Sequence, residues 1–247
     1  MTPEEFMSRM RSGEFDWQEI GRGMHKAFCN AESLLEDAEY FLKHKPGRAI
    51  SLAVLAAEEI AKVFLLAEVV LMAAAHPVPW DEAERSMKLR AHKAKLEVFA
   101  QYGDRILNRF FAEEGTTYYK ESLPVGIAPL LDYFKQLGLY VNPAEDRFIS
   151  PEEFGRDNPE LAETLVTAAR ERLESIRKMH SSEKQSIAMA GILVELLKEY
   201  ARTMVASGDV DAAAMREIVK KGMAVARTAM EEGDSGTASR KTSPQHG

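Results

Sequence analysis

The chain has 247 residues, and at ~150 residues per domain that is one large domain or two small ones. Lys and Arg total 32 against 39 Asp and Glu, a net charge of −7, so the chain as a whole is no nucleic-acid coat and a polyanion must be met by a local basic patch. Cys29 is the only cysteine, which excludes an internal disulfide framework, a thiolate-rich zinc site and an iron–sulfur cluster, and fits a reducing compartment.

The first residues, MTPEEFMSRMRSGEFDW, carry acids before bases and no apolar run, so they do not read as a signal peptide. Proline then punctuates the chain, and long helices can run only between prolines. The first is predicted over 15–45, with Phe28, Ala31, Leu34, Leu35, Ala38, Phe41 and Leu42 at three-and-four spacing. Pro46-Gly47 breaks it, and a second helix is expected over 48–75. A third starts at Trp80-Asp81, where Asp81 can cap, and is expected to continue to about residue 111. Gly115-Thr-Thr-Tyr-Tyr reads as a loop, and 125–138 as one short helix. Leu139-Tyr-Val and Arg147-Phe-Ile flank the turn-forming Asn142-Pro-Ala-Glu-Asp and read as a small hairpin. Further helices are expected over 159–205 and 209–232. From Gly233 the tail has almost nothing to bury and reads as disordered.

The second helix is apolar nearly all round, with only four charges in the 27 residues from Ala49 to Ala75, and should lie centrally. Glu58, Glu59, Lys62 and Glu68 are those charges, and that many at mid-bilayer depth cost on the order of 10 kcal/mol, so no membrane span is expected. Ionised groups in a buried helix must be paired. Glu58 and Lys62, four apart, can pair on one face, while Glu59 lies about 100° further round and must find a partner elsewhere. Such a trio is either an ion network that fixes helix packing or part of a site.

The run from Arg85 to Lys95 holds five Lys or Arg residues and no acid. On one regular helix, Arg85, Lys88, His92 and Lys95 fall within roughly 80° of arc, and Arg90 points nearly opposite His92. A histidine beside an arginine suits phosphodiester cleavage without metal. The imidazole takes the proton of a ribose 2′-hydroxyl or gives one to the leaving 5′-oxygen, and the guanidinium stabilises the extra charge on phosphorus. A solvated basic face with a packing histidine is the competing reading. The other histidines form neither the Glu-x-x-His nor the His-Glu-x-x-His pattern, and no phosphate loop or nucleophile elbow is present. No metal and no cofactor are therefore expected.

Asn30-Ala-Glu-Ser-Leu-Leu-Glu-Asp-Ala, the segment Ala49 to Lys62, His92-Lys-Ala-Lys95 and Gly138-Leu-Tyr-Val-Asn-Pro followed by Pro151 together resemble the AbiV-type abortive infection proteins of the HEPN superfamily, over roughly residues 25–180. The resemblance implies an all-α, HEPN-like helical bundle with a small irregular or β-hairpin insertion and additional C-terminal helices. The expected division is a helical core over 1–112, the insertion over 113–158, C-terminal helices over 159–232 and the tail over 233–247. Many such bundles cleave RNA as toxins or phage-defence effectors, and two copies of an arginine–histidine signature commonly face each other across a homodimer. Arg85 precedes His92 with six residues between them, which fits that signature; Arg90, only two before His92, does not.

The resemblance thus implies a cytoplasmic phage-defence effector that attacks RNA on infection, with His92 as acid/base and Arg85 stabilising the phosphorane. Lys88, Arg90, Lys93 and Lys95 would hold backbone phosphates, and Glu58 or Glu59 would orient the basic residues while Lys62 balances charge. RNA, a second copy of the chain and a phage-encoded activator are the expected partners. The alternative is a binding protein that blocks translation or senses a phage protein without cleaving anything.

Overall fold

The computed structural model describes residues 13–73, 77–89, 91–101, 127–144 and 147–207. Its elements run β1 (Glu14–Phe15), α1 (Trp17–Leu42), α2 (Pro46–Met72), β2 (Val78–Pro79), α3 (Trp80–Met87), α4 (His92–Gln101), α5 (Ile127–Leu139), β3 (Asn142–Ala144), β4 (Arg147–Ile149), α6 (Pro151–Asp157), α7 (Pro159–His180) and α8 (Glu183–Ser207). The expected all-α class holds: strand structure among the described residues is two short antiparallel pairs, β1 with β2 and β3 with β4. The expected loop at 115–119, the helix over 209–232, the tail from 233 and Arg90 lie outside the described residues.

Four local expectations need correction. The helix expected from residue 80 to 111 is broken after Met87, where Lys88 adopts a left-handed conformation with φ 51°. The Leu89 amide donates back to the Glu84 carbonyl at 3.4 Å and the Ala91 amide to the Lys88 carbonyl at 2.8 Å. This turn delivers Leu89 to the core, where it is buried. The run over 159–205 divides at Ser181-Ser182, because Ser182 caps α8: its Oγ accepts from the Gln185 amide at 3.2 Å. The hairpin's first strand is Asn142–Ala144 and not 139–141, since α5 continues through Leu139. The Asn142 side-chain amide closes that helix end by donating to the carbonyls of Gln136 and Tyr140. Finally, Ser150-Pro-Glu-Glu153 forms a capping box that starts α6 where no helix was expected.

The described residues fall into two compact units. One comprises Lys26–Leu65 and Glu84–Lys178. Its axis is the first part of α2, where Ile50, Val54, Ala57, Ile60, Ala61 and Val63 are buried on every side of the helix. α4 packs against α5, and α5 against α6. Helix α5 approaches α2 so closely that a Cβ on Gly138 would collide with the Gly47 carbonyl and Ser51 Oγ. Ser51 Oγ donates to the Lys135 carbonyl at 2.9 Å, which fixes α5 along α2. A Cβ on Gly155 would in turn strike the Gly47 backbone, so three glycines let α2, α5 and α6 meet backbone to backbone.

The second unit comprises residues up to His25, Leu66–Ala83 and the chain from Met179. Here Phe15 and Trp80 make an edge-on ring contact at 5.5 Å, and the β1–β2 register pairs Phe15 with Val78. Gly21 lies against the backbone of Ile187. His25 Nδ1–H donates to the His180 carbonyl at 2.8 Å, and the His180 ring shares a 3.0 Å hydrogen bond with Ser186 Oγ. No helix of the described residues is long and apolar enough to cross a membrane.

Candidate active site

Glu58 sits in the middle of α2, on a helix whose apolar surroundings would ordinarily expel an ionised group. Its side chain is 2% exposed, and three other side chains converge on it. His92, the first residue of α4, donates its Nδ1–H to Oε2 at 2.5 Å. Lys95, one turn later, donates to the same oxygen at 2.9 Å. Lys135 of α5 donates to Oε1 at 2.7 Å and also to Asp132 Oδ1 at 2.7 Å. Both oxygens of the carboxylate are thus occupied by donors from two neighbouring helices.

Charge arithmetic explains why the cluster can be buried. Glu58 and Asp132 contribute two negative charges and Lys95 and Lys135 two positive ones, so the group is neutral when the imidazole is neutral. Burial pushes the Glu58 carboxyl up, but the hydrogen bonds from Lys135, Lys95 and His92 and the charge of Lys95 outweigh it, leaving the group below its ordinary value. Burial pulls Lys135 down, and Asp132 and Glu58 more than restore it, so it rises above its ordinary value. The carboxylate is therefore ionised at neutral pH and can only accept, which assigns the proton on His92 to Nδ1. The other ring nitrogen, Nε2, has no hydrogen-bond partner among the described residues, and the His92 side chain is 58% exposed.

Several expectations change with this geometry. Lys62 pairs with Glu59 at 2.5 Å, not with Glu58, because Glu58 is turned inward toward α4 and α5; Glu59 finds its partner on its own helix. Lys95, expected on an exposed basic face, is 7% exposed and turned onto Glu58. Arg85 and His92 do not share one regular helix: Arg85 lies in the last turn of α3 and His92 opens α4, with the Lys88 turn between them. Arg85, Lys88, His92 and Lys93 are all exposed. Lys135 and Asp132 escaped the sequence reading. The available signal was a lysine set among Leu131, Phe134, Leu137 and Gly138, with an acid three residues before it.

The arrangement resembles an acid/base histidine held by a carboxylate, which fixes ring orientation and tautomer while leaving the second nitrogen toward solvent. His92 and Lys93 also open α4, and amide groups at a helix start lack acceptors one turn back, which favours an anion there. Among the described residues no group of three or more His, Cys, Asp or Glu side chains converges as a metal cage requires.

A family model described as AbiV, within the HEPN group, matches residues 19–174. No curated protein and no solved structure matches the chain. The matched span covers more than half of the sequence and includes Glu58, His92, Lys95 and Lys135. The chain belongs to the AbiV family, abortive-infection proteins of the HEPN superfamily.

Proposed function

We propose that this AbiV-family protein is a metal-independent endoribonuclease that arrests host growth during phage infection. The observation that carries the reading is the exposed His92 ring, pinned through Nδ1 to the buried Glu58. A ring held this way offers Nε2 to a proton on an incoming ligand without losing entropy at the moment of reaction.

In this reading Nε2 takes the proton of a ribose 2′-hydroxyl, the 2′-oxygen attacks the adjacent phosphorus, and the 5′-oxygen leaves with a proton. The products carry a 2′,3′-cyclic phosphate and a 5′-hydroxyl. General base catalysis of this kind contributes about 10²–10⁴ in rate. Arg85, Lys88 and Lys93, all exposed basic residues near the ring in sequence, and the amide groups at the start of α4 supply positive potential for the phosphates. Lys95, buried on Glu58, orients the carboxylate and does not itself hold RNA. A homodimer would bring a second His92 to protonate the leaving oxygen, and a phage-encoded trigger would release the activity in the cytoplasm.

The test is the chemistry of the products. Purified protein incubated with single-stranded RNA in EDTA should yield 2′,3′-cyclic phosphate ends, and an oligonucleotide carrying 2′-deoxyribose at the cut position should stay intact. Cleavage of that deoxy position, or cleavage abolished by EDTA, contradicts the reading. Intact RNA in cells whose growth is nevertheless arrested favours a binding protein that cleaves nothing.

A further inference from the structure

Glu58 does not serve His92 alone. Three donors share its two oxygens, and one of them, Lys135, is itself divided between Glu58 and Asp132. A lone carboxylate at 2.5 Å would hold the ring's proton firmly and favour the imidazolium, which is useless as a base. Two buried ammonium groups on the same carboxylate oppose that pull. We infer that Lys135 and Asp132 are positioning residues that act through Glu58 to set how readily His92 gains its second proton. The bearing of this on cleavage rests on the ribonuclease reading; the proton coupling itself does not.

Three observations support the coupling. Lys135 is 4% exposed, so its charge is little screened by water. Its position is fixed from behind, since its own carbonyl accepts from Ser51 Oγ at 2.9 Å and Gly138 seats α5 against Gly47. Asp132, 39% exposed, takes the second Lys135 contact at 2.7 Å, so it governs how much of that positive charge bears on Glu58. The charged groups on the elements around the ring are Glu58 and the Glu59–Lys62 pair on α2, Lys93 and Lys95 on α4, Asp132 and Lys135 on α5, and Arg85 and Lys88 before the ring. Of these, Lys135 and Asp132 oppose one another while touching neither the ring nor its free nitrogen.

Removing either partner must therefore move the ring in opposite directions. Lys135→Met takes away a positive charge, which favours the imidazolium; Asp132→Asn leaves the lysine uncompensated, which disfavours it. The experiment follows the His92 ring resonances by NMR across pH in the full chain without substrate. The midpoint should rise by roughly 0.5–1 pH unit in Lys135→Met and fall by less in Asp132→Asn, and Lys135→Arg should restore the wild-type value. Unmoved midpoints, or shifts of the same sign in both variants, overturn the inference. Asp132 is half exposed, so its variant keeps the test decisive even if Lys135→Met does not fold. The titration is read without RNA, so opposite shifts in a protein that cuts nothing would sustain the coupling and defeat only the ribonuclease reading; in an active protein, the acidic limb of the pH–rate profile should move with each midpoint.

Discussion

At the residue scale, Glu58 and His92 play different parts and should fail differently. Glu58 neutralises two buried lysines, so Glu58→Gln strands Lys95 and leaves Lys135 to Asp132 alone. Breaking a buried pair from one side costs about 3–5 kcal/mol, and urea unfolding should show a loss of that order. His92 is mostly in water and its removal leaves Glu58 with both lysines, so His92→Ala should shift stability by less than about 1 kcal/mol. Acid acts on two groups with definite signs. The Glu58 carboxyl lies below its ordinary value of 4.5 in the fold, so its contribution is present above about 4.5 and is lost as pH falls below that. His180, 3% exposed, is pulled down from 6.5 to about 4 by burial and by the charge of His25. The unfolded chain takes that proton first, so stability drops as pH falls from about 6.5 to about 4, by on the order of 3 kcal/mol for this residue. His180→Asn should flatten the unfolding free energy measured by urea titration across that window.

At the scale of elements, the turn between α3 and α4 decides where the site residues lie. Lys88 holds a left-handed conformation that glycine adopts without cost. Lys88→Gly should therefore stabilise the chain by about 0.5–1 kcal/mol in thermal or urea unfolding, the relief of about 1–2 kcal/mol being partly offset by the freer unfolded state. This turn was not legible in the sequence: Met87-Lys-Leu-Arg-Ala contains neither glycine nor proline, and the break follows from packing Leu89, a tertiary demand. The helix starts at Ser150 and Ser182 were legible, because each serine precedes a Glu or Gln by three residues. The meeting of α2, α5 and α6 makes the opposite prediction to Lys88. Gly138→Ala places a methyl into the Gly47 carbonyl and should destabilise by about 1–3 kcal/mol, shifting α5 and with it Lys135.

For the molecule as a whole, helix content and the central apolar helix followed from periodicity and proline spacing, and the AbiV kinship from short segments in order. The site was half legible. Glu58 and His92 stood out as a charge in an apolar helix and a histidine in a basic run, but spacing alone paired Glu58 with Lys62 and placed Lys95 on the surface. Both errors have one cause: helical spacing describes neighbours within a helix, whereas Glu58 is satisfied by α4 and α5, brought in from 34 and 77 residues away. Lys135 was invisible for the same reason. The central claim is that a carboxylate-held imidazole in an intact fold performs the chemistry. Its most direct measurement compares RNA cleavage by wild type and His92→Ala at equal, verified urea midpoints. The account predicts a loss of about 10²-fold or more with stability unchanged; cleavage by His92→Ala within about twofold of wild type would contradict it.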